Sequence, residues 1–456
     1  MTDDLSVLDV RPPPGPPREY RFPPFERVQM DSGLTVVTCH MPGRPLLAAS
    51  LLFPGGAALE PAERGGVTVL MGRALTEGTS RRDAIGFIEA SERLGAEIHA
   101  DTSWDAMVAG LEVPRRHFSQ AFELLAEMVL EPSFPEQEIE RLRDERLNDL
   151  LQARADPRRR AERVFAETVF DAQVPYARPM AGDETTVSPL GREAISARHS
   201  ALLSETPGVT MVVAGDLQGI DIPALADERF GSWQVSSGED APPPVGTHPA
   251  GARTVLVDKP DAPQSEVRIG HLGLARRNDD FHTISVLNAM LGGTFDSRLN
   301  RLLREERGYT YSISSSFEMR RARGPFAVRT AVHSESTVPA IVDALQVMRT
   351  ARDQEFEPRE LDAARDYLVG VFPLRFEAAA QVSAALSGLI VQRLPDDELD
   401  RYRPAIAAVT AADVQSAAQR HIRPDDLSIV VVGDAASLEG PLADAGLPPL
   451  ERAAAE

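Results

Sequence analysis

A chain of 456 residues exceeds the size at which one hydrophobic core usually stops growing, so two or more domains are expected. Its 43% apolar and 26% charged residues are those of a globular protein, and a formal charge of −21 argues against a nucleic-acid or anionic-membrane partner, both of which need a basic face. Cys39 is the one cysteine, which excludes an internal disulfide and fits a reducing compartment.

The opening, MTDDLSVLDVRPPPGPPREYRFPP, is acidic and proline-rich and reads as an extension over residues 1–24. It lacks a basic segment followed by an apolar one, and no stretch of the chain reaches about 18 consecutive apolar residues. Neither a signal peptide nor a membrane span is therefore expected, and the cytoplasm is the expected location. Lys259 is the only lysine among 48 basic residues, a bias that matches the codon usage of a GC-rich bacterium.

A first domain is expected over residues 25–235. LTVVTCHMP reads as a strand ending at Pro42, with Cys39 as a small strand residue, and AASLLF as another strand. GGVTVLMGRALTEGT, residues 65–79, reads as a short helix. Val67, Leu70, Met71, Ala74 and Leu75 make one apolar stripe on it; Thr68, Gly72 and Thr76 make an adjacent strip of small residues. RDAIGFIEASERLG is a second helix and AEIHADTSWDAMVAGLEV a pair of antiparallel strands. Two long helices follow, one after Pro114 and one after Pro135. A Ser/Gly/Pro-rich linker is expected over 236–252, a second domain over 253–437 and a tail over 438–456.

The two domains are written on one plan. Each opens with a strand ending at proline, Pro42 and Pro260, and each closes with a helix, a turn and an apolar strand ending in Gly-Asp. Both landmarks, Pro42 to Pro260 and Gly215 to Gly433, are 218 residues apart, the signature of a tandem duplication. Adjacent antiparallel strands with segregated helices predict an α+β fold: a duplicated α/β half-domain with an antiparallel-type sheet and helices packed on it.

Most familiar chemistries are missing. No two of the nine histidines have the spacing that pairs imidazoles on one helix face, and there is no histidine–cysteine cluster. Gly-x-Ser-x-Gly, Walker and G-x-G-x-x-G signatures are absent. The distinctive stretch is GGTFDSRLNRLLREERGYTYSISSS, residues 292–316. Asp296 or Ser297 can cap a helix that Gly308 stops, followed by a strand with Tyr309, Tyr311 and Ile313 on one face. Arg304, in the last helical turn, and Tyr311 could converge as a cation and a phenol. Alternatively, Arg304 complements the helix dipole and Tyr311 is a half-buried strand residue.

GGTFDSRLNRLLREERGYTYS resembles the second-half signature of the M16 metallopeptidases, the family of insulinase, pitrilysin and the mitochondrial processing peptidase. ERGGVTVLMGRALTEGTSRR, LGAEIHADTSWDAMVAGLEV, LLAEMVLEPSFPEQEIERLRDE and the two strands VVAGD and VVVGD sit in that family's order, so the likeness spans nearly the whole chain. Active members carry H-x-x-E-H on the first-half helix, where two imidazoles hold zinc and a glutamate activates water. The matching positions here are TVLMG: Thr68 and Gly72 replace the histidines and Met71 the glutamate, and Asn148 matches the third ligand, with Asp149 beside it. The resemblance thus implies vacated zinc positions, no metal on this chain, and Arg304 and Tyr311 matching the family's substrate-contacting pair. It implies a non-catalytic subunit of the bacterial two-subunit branch, with zinc on a homologous H-x-x-E-H partner and a peptide as substrate. Family members also pair peptides with the strand edge at IHADTS, where this chain has His99. The alternative is a non-enzymatic scaffold or peptide-binding module related to these peptidases.

Overall fold

Strands β1 (Phe25–Gln29), β2 (Thr35–His40), β3 (Leu46–Pro54), β4 (Glu97–Thr102), β5 (Ala106–Pro114) and β6 (Thr210–Gly215) form one sheet in the order β1-β2-β6-β3-β5-β4. Strands β7 (Thr254–Asp258), β8 (Gln264–Leu272), β9 (Ile313–Phe317), β10 (Pro325–His333), β11 (Ser428–Gly433) and β12 (Leu450–Arg452) form a second, in the order β12-β7-β11-β8-β10-β9. This computed structural model describes residues 15, 18–239, 241 and 251–453. Five strands follow the same order in both sheets, β2-β6-β3-β5-β4 and β7-β11-β8-β10-β9, and β3 and β8, like β6 and β11, start 218 residues apart, as the duplication requires. Each sheet is mixed: a parallel pair, β2 with β6 and β7 with β11, is followed by antiparallel pairs towards β4 and β9. The outermost strands differ: β1 runs antiparallel to β2, whereas β12 runs parallel to β7.

The central strands of each sheet are buried on both faces, and their alternate residues serve different cores. On β3, Leu47, Ala49, Leu51 and Phe53 face the first half's own helices, Val67–Ala74 and Phe118–Leu130 among them. Ala48 and Leu52 face the other way and pack with Val382, Leu386 and Leu389 of the helix Ala379–Val391, which belongs to the second half. Ser50 Oγ lies 3.0 Å from Ser383 Oγ across the same seam. The exchange is reciprocal. Helix Pro157–Val169 of the first half lays Ala161, Phe165 and Val169 on Val430, Val432 and Leu272 of the second sheet. Strands covered on both faces have no solvent side, which is why TMVVAG and SIVVVG read as unbroken apolar runs.

The termini depart from the sequence reading. Within residues 1–24, Phe22 is buried against Phe376, their ring centres 5.2 Å apart, and its N–H donates to Asp400 Oδ1 at 2.9 Å, so this end belongs to the second half's core. Residues 1–14, 16 and 17 lie outside the described residues. The expected tail is structured too: Ala435–Asp444 is a helix and β12 extends the second sheet. Of the linker, 240 and 242–250 lie outside the described residues. Among the described residues no single helix is long and apolar enough to cross a membrane.

Candidate functional site

The helix Val67–Ala74 is entered through Gly66 in the left-handed conformation (φ 89°), where an added Cβ would lie 2.6 Å from the Ala181 carbonyl carbon. Its first free donors are met by one carboxylate: Gly66 N–H donates to Glu60 Oε2 at 2.8 Å and Thr68 N–H to Glu60 Oε1 at 2.6 Å. Thr68 is fully buried. Its hydroxyl accepts from Arg198 Nε at 2.9 Å, and its carbonyl accepts from Thr102 Oγ1 on β4 at 3.3 Å. Burial pushes the Glu60 carboxyl up, opposed by the bonds from Thr68 and Gly66 and by the charge of Arg198. Burial pulls the Arg198 guanidinium down, opposed by the charge of Glu60. Met71 is buried, and a Cβ on Gly72 would meet Thr102 Oγ1 at 3.4 Å and Ala100 O at 3.7 Å. The small strip is therefore no open face: Thr68 and Gly72 lie beneath β4, with Arg198 of the helix Arg192–Glu205 set against the threonine.

Asn148 is exposed on the helix Glu136–Ala155 and makes no hydrogen bond to Thr68, Met71 or Gly72. Beside it, Asp149 is clamped by Arg159, at 2.7 and 2.8 Å, and by Arg146. The Arg159 bonds hold the Asp149 carboxyl below the usual carboxylate range. A catalytic zinc needs three protein ligands drawn from imidazole, carboxylate and thiolate. Here the matching positions offer a hydroxyl already bonded to a guanidinium, a thioether, no side chain and an exposed amide, and these residues do not fit zinc. Among the described residues no three His, Cys, Asp or Glu side chains gather as a ligand set.

In the second half, Asn300–Glu306 winds as a wide π-type turn, closed by Arg307 N–H to Leu302 O and Tyr309 N–H to Leu303 O, both 2.9 Å, with Gly308 at φ 65° as the stop. Asn300 Nδ2 fastens its start to β9, donating to Ser297 Oγ at 3.1 Å and Ile313 O at 2.8 Å. Arg304 is half-buried with its guanidinium carbon 4.4 Å from the ring centre of exposed Phe295. Tyr311 is 87% exposed and is not on a strand, contrary to the alternation read from the sequence. The cause is Thr310, whose hydroxyl donates to Ala331 O at 2.7 Å and accepts from Ser312 N–H at 3.1 Å, holding 310–312 as a loop until β9 begins at Ile313. No hydrogen bond or cation–ring contact joins Arg304 to Tyr311. His99 sits on β4, an edge strand, with its ring over Gly110, where an added Cβ would lie 2.6 Å from Nε2.

Residues 35–183 match the profile of the insulinase family, peptidase family M16, and residues 190–368 that of the peptidase M16 inactive domain. An uncharacterized zinc protease of Mycobacterium tuberculosis is 26% identical over 415 residues, 89% of this chain and 92% of that one. A non-peptidase homolog of Helicobacter pylori is 23% identical over 393 residues, 86% and 89% of the two chains. The crystal structure of a peptidase M16 inactive domain from Pseudomonas fluorescens superposes with a TM-score of 0.83 at 24% identity, covering 90% of this chain and 98% of that one, and so shares the fold. With two consecutive family profiles that together span most of its length, this chain belongs to the M16 peptidase family, with Thr68, Met71 and Gly72 in place of an H-x-x-E-H motif on its first-half helix.

Proposed function

We propose that this chain is the zinc-free subunit of a heteromeric M16-type peptidase of the bacterial cytoplasm. A homologous partner bearing H-x-x-E-H brings the metal and its water; this chain brings Arg304 and Tyr311. The observation that carries the reading is a division within one molecule. The first-half helix has lost its ligand positions to Thr68, Met71 and Gly72, while the loop after Arg304 holds Tyr311 out in solvent, 87% exposed. The Tyr311 O–H donates to the oxyanion that develops on the scissile carbonyl, and Arg304 supplies a charge-assisted bond to a substrate carbonyl. Arg304 would leave the Phe295 face to do so.

The test is co-expression with the H-x-x-E-H homologue of the same genome. A complex of equal stoichiometry with metal-dependent peptidase activity, neither chain being active alone, is expected. One tightly held zinc on the isolated chain would overturn the reading. A second reading, a scaffold or peptide-binding module, draws on the stacking of Arg304 on Phe295 and on the relative named a non-peptidase homolog. A homologue that is fully active without this chain would favour it.

A further inference from the structure

A cavity of about 300 Å³ lies where the first half's exchanged helix and the loop behind it meet β10 and the turn before it. Its charged lining is four arginines, Arg163, Arg178, Arg320 and Arg329, against two glutamates, Glu162 and Glu318, in a chain that is otherwise strongly acidic. Both glutamates are already committed. Glu162 accepts from Arg268 Nε at 2.7 Å and Arg329 Nε at 3.1 Å, and Glu318 from Arg320 Nη2 at 3.4 Å and from Arg329. Two donors are left over: Nη1 of Arg178 and Nη1 of Arg320 are buried and have no hydrogen-bond partner among the described residues. A buried donor without an acceptor is expensive, more so when it is charged.

The cavity also has apolar walls. Around the Arg320 guanidinium stand the rings of Tyr176, Trp104 and Phe170, their centres 4.5, 5.5 and 5.9 Å away. The rings hold one another edge to face, and Tyr176 O–H is fixed by Asp105 Oδ1 at 2.9 Å, so the walls are preformed. Convergent charged groups beside a preformed aromatic wall, in a hollow of this size, are what a small-molecule site offers. Positive charge with planar walls selects a planar anion attached to an apolar body.

We propose that this cavity binds a carboxylate carried on a small apolar group, towards which Arg178 and Arg320 turn Nη1 groups that have no solvent access as they stand. The same chemistry occurs in a free organic acid and in the C-terminal residue of a peptide. Burial pulls the Arg320 guanidinium down, with Glu318 opposing, so a bound carboxylate relieves an unfavourable charge. The site stands independently of Arg304 and Tyr311, none of whose contacts it shares.

Isothermal titration of the full chain with benzoate, benzamide, acetyl-phenylalanine, acetyl-phenylalaninamide and inorganic phosphate tests it. The two acids should bind saturably and weaken with salt, and the two amides should bind at least roughly tenfold less tightly, the loss expected for one charge-assisted contact. Acetyl-phenylalanine tighter than benzoate identifies a peptide terminus as the natural source, and the reverse a free acid. Arg320→Gln and, should that variant not fold, Arg178→Gln should each weaken acid binding roughly tenfold or more, whereas Arg359→Gln, on a helix that does not line the cavity, should not. Amides or phosphate binding as well as the acids, no saturable heat from any probe, or full affinity in a folded Arg178→Gln variant would each overturn the proposal.

Discussion

Arg198 places a guanidinium against the hydroxyl of Thr68, so a monovalent cation on a tether occupies the neighbourhood of a residue that in active relatives would ligate a metal. Glu60 balances it from the other end of the same helix turn. Glu60→Ala strips two buried N–H groups of their acceptor and should lower stability by about 2 kcal/mol or more, read from urea midpoints. Asp149 gives a pH signature. The Arg159 bonds depress its pKa, so the stability it adds is present above the unfolded value of about 3.9 and fades as pH falls through the folded one. Asp149→Asn should therefore lose less stability than wild type on acidification from about pH 5 to 3, and equal slopes would disprove the link. Tyr311→Phe, in an active complex whose assembly gel filtration shows unchanged, should lower kcat by about 10²–10³ with little change in KM. Tyr309→Phe is the control, and a crippled Tyr309 variant beside a normal Tyr311 one would move the site. Thr68 and Gly72 were legible in the sequence because helical period sets them on one strip of small residues, and the family resemblance added Met71 from the neighbouring apolar stripe. Arg198 was not, being 130 residues from Thr68 with no local pattern to announce it. The place of Tyr311 was misread because a threonine hydroxyl, not strand pairing, decides the backbone there.

At the level of elements, the opening helix is locked rather than merely emptied. Glu60 fixes its start, β4 covers Thr68 and Gly72, and Arg73 pairs with Glu145 of the helix Glu136–Ala155 at 2.8 Å. Writing the motif back with Thr68→His, Met71→Glu and Gly72→His should consequently yield no stoichiometric zinc after dialysis. Arg198 stays as a competing cation, Asp149 stays clamped, and no room opens beneath β4. Tight zinc in that triple variant would show the lock to be weaker than this packing implies. The strands were readable where the alternation is clean, as in β4 with β5, and where an unbroken apolar run marks burial on both faces. The helix Pro157–Val169 was not, because it opens on four charged residues in its first six and buries its apolar stripe on β8 and β11 of the other half, far along the chain. Strand β12 was lost for a related reason: three residues with two exposed charges carry no period.

Across the whole molecule, the exchanged helices make each half's sheet incomplete without the other. Heating or urea should then unfold the chain in one transition, coincident by circular dichroism and by the fluorescence of Trp104 and Trp233, and two separated transitions would show that the halves stand alone. Residues 1–240 and 241–456, produced as separate chains, should each precipitate and should copurify when made together. The reciprocal exchange has the arrangement of a domain-swapped dimer, carried here on one chain. What fastens its two parts is packing, not the peptide bonds between them. A cut anywhere in 236–252 would leave a particle of unchanged mass on gel filtration, and a genome that split the gene at that point would still make the same protein.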